Sequence, residues 1–204
     1  MNRIVERFLQ DKILELIKDG FGVKIHNTPL VRNECGVASG YFDGEGKELE
    51  IAIKRPQKEW VPIFIHEYSH YTQWKDDCKV WRDIDKVYET VNLWSWLSGD
   101  DEYTDAQLER CKIATQRLEQ DCDKRAVALI EQYNLPISKD HYIQSSNAYI
   151  LFYNICIEQR KWYKKSPYSD PRINGGMPKK FISEKDFGKV PAKFNKLVVK
   201  EFLD

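Results

Sequence analysis

The 204-residue chain has no apolar run near the ~20 residues needed to cross a bilayer. Its mean hydropathy of -0.62 points the same way, so no membrane partner is expected. Its start, Met1-Asn2-Arg3-Ile4-Val5-Glu6-Arg7, is charged rather than the apolar stretch of a secretion signal. Repeats, low-complexity tracts and Gly/Ser linkers are missing as well, so nothing marks a second domain and residues 1–204 are expected to form one. The five cysteines, Cys35, Cys78, Cys111, Cys122 and Cys156, contain no CxxC pair, and their odd number defeats any complete disulfide scheme. They are expected to be reduced, mostly buried thiols of a cytoplasmic protein. Net charge is also lacking, since 32 basic side chains meet 32 acidic ones. That balance hides a basic C-terminal region in which residues 160–204 hold 12 Lys/Arg against 5 Asp/Glu. Its lysines are spread among Phe, Val and Leu rather than bunched, the pattern of a solvated, partly packed surface and not of a nucleic-acid site.

Hydrophobic periodicity predicts a mainly helical α+β fold. Ile4, Val5, Phe8, Leu9, Ile13, Leu16 and Ile17 recur at three- and four-residue spacings before Gly20, which makes an amphipathic helix. Short strands are expected at Phe21–Ile25 and Gly40–Asp43, then a turn over Gly44-Glu45-Gly46-Lys47. In Glu48–Lys54 the apolar Leu49, Ile51 and Ile53 alternate with polar or small residues, as in a half-buried strand. Pro56 ends it, and Pro62 is expected at the start of a helix running to about Trp74, because a first-turn N–H is dispensable. Further helices are expected near Asp83–Leu97, Asp105–Tyr133, Lys139–Trp162 and Ala192–Leu203. Residues 164–190, with Pro167, Pro171, Gly175, Gly176 and Pro178, are expected to be a long loop, either a lid or a wrap over the helices.

The segment that carries chemistry is Ile65-His66-Glu67-Tyr68-Ser69-His70, an HExxH inside a predicted helix. Four residues are little more than one helical turn, so His66 and His70 can offer two imidazole nitrogens to one metal ion. Glu67 lies about 100° round from His66 and can act on a water at that ion. With 4 His and 16 Glu in the chain, composition alone would produce the pattern about 0.006 times per chain. A third protein ligand belongs on another helix. Leu118–Ala126 holds Glu119 and Asp123 at i and i+4, so Glu119 is the candidate third ligand, and Asp123 the candidate acceptor for the free ring N–H of a ligating histidine.

His66, Glu67, His70, Glu119 and Asp123 together resemble the zincin metallopeptidases, in the branch whose HExxH is followed on a later helix by ExxxD. Several such families read E-x-E-A-D-x-x-A there, and this chain has Glu119, Asp121, Cys122, Asp123 and Ala126 in those places, with Cys122 keeping a small residue. The resemblance covers residues 41–130 and extends to small phage and bacterial metallopeptidases and to repressor-cleaving peptidases of mobile elements. It implies one zinc ion per chain held by His66, His70 and Glu119, with Glu67 as general base and a protein or peptide as substrate. It also implies a small antiparallel sheet whose edge strand, Glu48–Lys54, precedes the site helix and pairs with extended substrate.

A second donor to the transition state is sought on the helix after Pro136, where Tyr149 and His141 are the candidates among Tyr142, Asn147 and Tyr153. The polar run Gln144-Ser145-Ser146-Asn147 beside Ile150-Leu151-Phe152 suggests that one face of this helix lines a cleft. Trp74, Trp81, Trp94 and Trp96 are expected as core filling. Two rivals make other demands: a scaffold that only binds a partner protein need not keep Glu67, and a nucleic-acid binder using the basic tail would bind no metal tightly.

Overall fold

The computed structural model describes residues 2–33 and 36–203. Eight α-helices and five strands among them make the protein mainly helical, with one sheet of three strands and one of two. The chain divides into two compact units, Met1–Cys78 with Lys124–Ile137, and Lys79–Asp123 with Ser138–Asp204. No helix among the described residues is long and apolar enough to cross a membrane. Cys78, Cys111, Cys122 and Cys156 form no disulfide with one another, and Cys35 lies outside the described residues. Burial pushes the Cys156 thiol up to about 12 and the Cys111 thiol upward, which suits inert core cysteines.

The first unit opens with α1 (Arg3–Lys18), capped by Asn2, whose side chain accepts from the Ile4 N–H. Val5, Phe8, Leu9 and Leu16 form its buried face. Five strands follow: β1 (Gly22–His26), β2 (Val31–Asn33), β3 (Gly36–Ala38), β4 (Gly40–Asp43) and β5 (Glu48–Ala52). The β4–β5 turn is closed by Asp43 Oδ1, which accepts from the N–H groups of Glu45 and Gly46.

The sheet departs from expectation in two ways. The three-stranded sheet has the order β1-β5-β4, with β5 parallel to β1 and antiparallel to β4, so it is mixed rather than antiparallel. β5 is therefore its central strand, and β4, not Glu48–Lys54, is the edge strand of the sheet next to the site helix. Alternation reports which faces of a strand are buried and is silent on how many of its sides are hydrogen-bonded. β5 buries Leu49 and Ile51 on one face, while Glu48 and Glu50 on the other meet Lys24 and His26 of β1.

The site helix α2 (Gln57–Lys75) begins five residues before Pro62, which sits inside it. Expecting Pro62 at the first position was incorrect. The cost of its missing N–H is one bond to the carbonyl four residues earlier, and the packing of Val61, Phe64, Ile65, Tyr68 and Tyr71 outweighs it. Those five are at most 2% exposed and form one stripe. Phe64 meets Phe8 edge to face, and Tyr71 and Trp74 both meet Phe21. The opposite stripe of Ile63, His66, Glu67, His70 and Trp74 stays half-buried.

Polar contacts fix the rotation of α2 about its axis. The Tyr68 hydroxyl donates to Glu15 Oε2 and the Tyr71 hydroxyl to Asp19 Oδ2, each at 2.6 Å, and Lys75 bridges both carboxylates. From α5 (Asp105–Gln132), Arg125 donates to Thr72 and Asp76 of the same unit. Burial pulls the Glu15 carboxyl up, but hydrogen bonds from Tyr68, Lys75 and Lys12 outweigh it and hold it low. Asp19 is held low by Tyr71 and Lys75. Both folded-state values lie below the unfolded ones, so this stabilisation is complete above the unfolded carboxylate range near ~4 and is lost as pH falls through the folded values. Urea unfolding at pH 7 and pH 3 is expected to show a lower midpoint at pH 3, and Glu15→Gln to narrow the gap. An equal gap in the variant would remove Glu15 from this role.

In the second unit, α3 (Lys79–Tyr88) and α4 (Leu93–Ser98) replace the single helix expected over Asp83–Leu97. Asn92 interrupts it, because its side chain accepts from the N–H groups of Trp94 and Ser95 and starts a new helix. Trp96 is core as expected, while Trp94 is 40% exposed and stacks edge-on against Trp162. The N-terminal part of α5 packs with α6 (Lys139–Gln159), where Gln116 donates to the Ile150 carbonyl. α7 (Pro171–Asn174), a 3-10 turn at Glu184–Asp186 and α8 (Ala192–Glu201) complete the unit.

Residues 164–190 are mostly irregular, as expected, and are tied down by side-chain amides. Asn147 donates to the carbonyls of Pro178 and Lys180 and accepts from the Ile182 N–H. Gln120 reaches the Ile182 carbonyl, Gln144 that of Met177 and Asn154 that of Phe187. Gln144 and Asn147 of the polar run on α6 thus serve loop backbone groups that need partners, and Ser145 accepts from the Asn174 side chain.

Candidate metal centre

Within the first unit, the HExxH spacing on α2 brings His66 Nε2 and His70 Nε2 to 3.2 Å, with the rings perpendicular and 4.7 Å apart. Two nitrogens at ~2.05 Å from one tetrahedral zinc ion lie about 3.3 Å apart, so the pair is spaced as two ligands of one ion would be. His70 Nδ1 is 2.8 Å from Gln73 Oε1. An amide oxygen only accepts, so this bond holds His70 as the Nδ1–H tautomer and leaves the Nε2 lone pair for a metal. Gln73 is fully buried, three residues along the same helix. If the histidine pair holds a metal ion, replacing Gln73 by leucine is expected to weaken its binding about 10- to 100-fold, read by competition against a chromophoric chelator. Unchanged affinity would show that this bond does not orient the ring.

Glu67 packs against the edge strand. A Cβ on Gly40 of β4 would stand 2.9 Å from Glu67 Cγ and 3.1 Å from its Oε1, so there is no room for a side chain between strand and carboxylate. The bare main chain at Gly40 permits that approach.

On α5, Glu119, Cys122, Asp123 and Ala126 fall at i, i+3, i+4 and i+7 and are all buried. Asp123 Oδ1 accepts from the Tyr142 hydroxyl at 2.9 Å, while the ring N–H of His70 goes to Gln73. The Glu119 charge lies near Tyr149 and Tyr153, whose hydroxyls share a hydrogen bond of 2.7 Å. Burial first, and that charge second, push both phenols well above their ordinary value, so they act as neutral donors. His141 is exposed in the first turn of α6. His66, His70 and Cys122 are residues that could together hold a metal ion. The α5 member of that group is the cysteine one turn on from Glu119.

Sequence reasoning missed Gln73 and Gly40 and read Cys122 only as a small residue. Gln73 was discoverable, since i+3 from a helical histidine lies on the same face. Gly40 left no signal, because its neighbour Glu67 is distant in the chain. No family model matches the chain, and neither does any curated protein or solved structure.

Proposed function

We propose that this protein is a zinc-dependent metallopeptidase that hydrolyses peptide bonds of a protein or peptide substrate. The observation that carries the reading is the 3.2 Å pairing of His66 and His70 with the ring orientation set by buried Gln73. The donor set suits zinc, with two neutral imidazoles and a third ligand from α5. When bound, zinc supplies Lewis-acid polarisation of the scissile carbonyl and acidifies the attacking water. Glu67 takes the proton of that water on its carboxylate and delivers it to the leaving amine nitrogen. Gln73 keeps the His70 lone pair directed, and Asp123, held by Tyr142, supports the ligand-bearing face of α5.

Glu119 is the third ligand in this reading. Cys122 is the specific alternative, because it is the residue grouped with the two histidines. Elemental analysis of protein purified without added zinc tests both, with wild type, His66→Ala, Glu119→Gln and Cys122→Ser side by side. About one zinc per chain in wild type, lost in His66→Ala and Glu119→Gln and kept in Cys122→Ser, is the expected pattern. Loss in Cys122→Ser with retention in Glu119→Gln exchanges the two, and cobalt-loaded protein would then show a thiolate charge-transfer band. A wild type that takes up no zinc even when it is offered ends the metallopeptidase reading and leaves the two rings as an N–H···N hydrogen bond.

A further inference from the structure

We propose that Gly40 is a positioning residue for Glu67: the side-chain-free main chain of the edge strand β4 forms the wall against which the Glu67 carboxylate is set. This rests on the reading of Glu67 as general base. Gly40 is buried, and its φ is outside the left-handed region, so backbone freedom does not explain the glycine. Space does. A Cβ there would lie 2.8 Å from Ile63 Cγ2 and 2.9 Å from Glu67 Cγ, nearer than real Cβ atoms come. Ile63 and Glu67 are one turn apart on the half-buried stripe of α2, so β4 rests on both.

The two neighbours differ in how they can yield. Ile63 is β-branched and confined to essentially one χ1 rotamer in a helix, whereas the Glu67 side chain turns about three bonds. An added methyl group at position 40 therefore moves the carboxylate before it moves the isoleucine. A displacement of about 1 Å in a reacting group lowers turnover about 10²-fold. Gly40 thus acts on Glu67 by leaving space on β4, and any residue but glycine fills that space.

The test uses full-length protein carrying ¹³C-labelled glutamate side chains, in which the Glu67 carboxyl resonance is assigned by its absence in Glu67→Gln. In Gly40→Ala, the Glu67 resonance is expected to shift while the other glutamate carboxyls and the zinc content stay as in wild type. On a library of internally quenched peptides, kcat is expected to fall about 10²-fold with KM unchanged. Should Gly40→Ala fail to fold, Gly40→Ala/Ile63→Ala relieves the isoleucine contact and carries the same comparison, with Glu67 still displaced. A Glu67 resonance at its wild-type position in the folded variant overturns the inference, because the strand or Ile63 has then absorbed the methyl group. The parent reading fails separately: Glu67→Gln cleaving at the wild-type rate removes the general base whatever Gly40→Ala does. Inactive Glu67→Gln beside an unshifted Gly40→Ala removes only the positioning role.

Discussion

Glu67→Gln is expected to keep about one zinc per chain and to lose about 10³-fold in kcat on cleavable peptides, the size of a general-base contribution. The substitution preserves shape and removes only the ability to take a proton, so it separates chemistry from binding. His66 and His70 retain their 3.2 Å spacing and Gln73 its bond to His70, because none of these contacts uses the Glu67 carboxylate. KM should change little, since the carboxylate acts on water and the leaving amine. Elemental analysis and steady-state kinetics on the same preparation check both halves. Retained turnover with zinc present would discard Glu67 as base, while lost zinc would make the variant uninformative about proton transfer and require Glu67→Asp in its place.

Asn147→Ala is expected to destabilise the second unit by about 3 kcal/mol, as read from urea unfolding. Asn147 is fully buried and makes three hydrogen bonds, to the carbonyls of Pro178 and Lys180 and from the N–H of Ile182. Truncation strands three backbone groups, and each buried polar group left unpaired costs about 1–3 kcal/mol, reduced where water enters. Limited proteolysis should then cut within residues 177–187, which these bonds tie to α6. A variant as stable and as resistant to protease as wild type would show that the segment is held by its apolar contacts alone, namely those of buried Met177 and Phe187 and half-buried Ile182.

The contrast between Asn147 and β5 shows what could be read from the chain alone. Helix and strand positions rest on local periodicity, and α1 and β5 appear within a few residues of where Phe8, Leu16, Leu49 and Ile51 put them. Strand order rests on non-local pairing, so the edge position that the resemblance implied for β5 had no check in its sequence, and β1 and β4 flank it. The HExxH pair was legible because both histidines lie on one helix, with their separation set by helix geometry. Gly40 and Asn147 were not, since each answers to residues more than 20 positions away, and a polar run gives no sign of whether it faces a cleft or a loop backbone.

Pro62 also divides α2 in a way that bears on its rigidity. The first four N–H groups of any helix have no partner inside it, and Pro62 has none to give. Ahead of Pro62, Glu59 and Trp60 both donate to the carbonyl of Pro56, the residue before the helix, and only Val61 is placed to donate to a residue of the helix itself. The unbroken ladder starts at Ile63, one residue-step of the stripe before His66. In amide hydrogen-exchange terms, the opening turn of α2 belongs with the loop that follows β5, and slow exchange begins at the turn that bears the histidines. Breathing at the start of the helix can therefore absorb motion of that loop without changing the distance between the two rings.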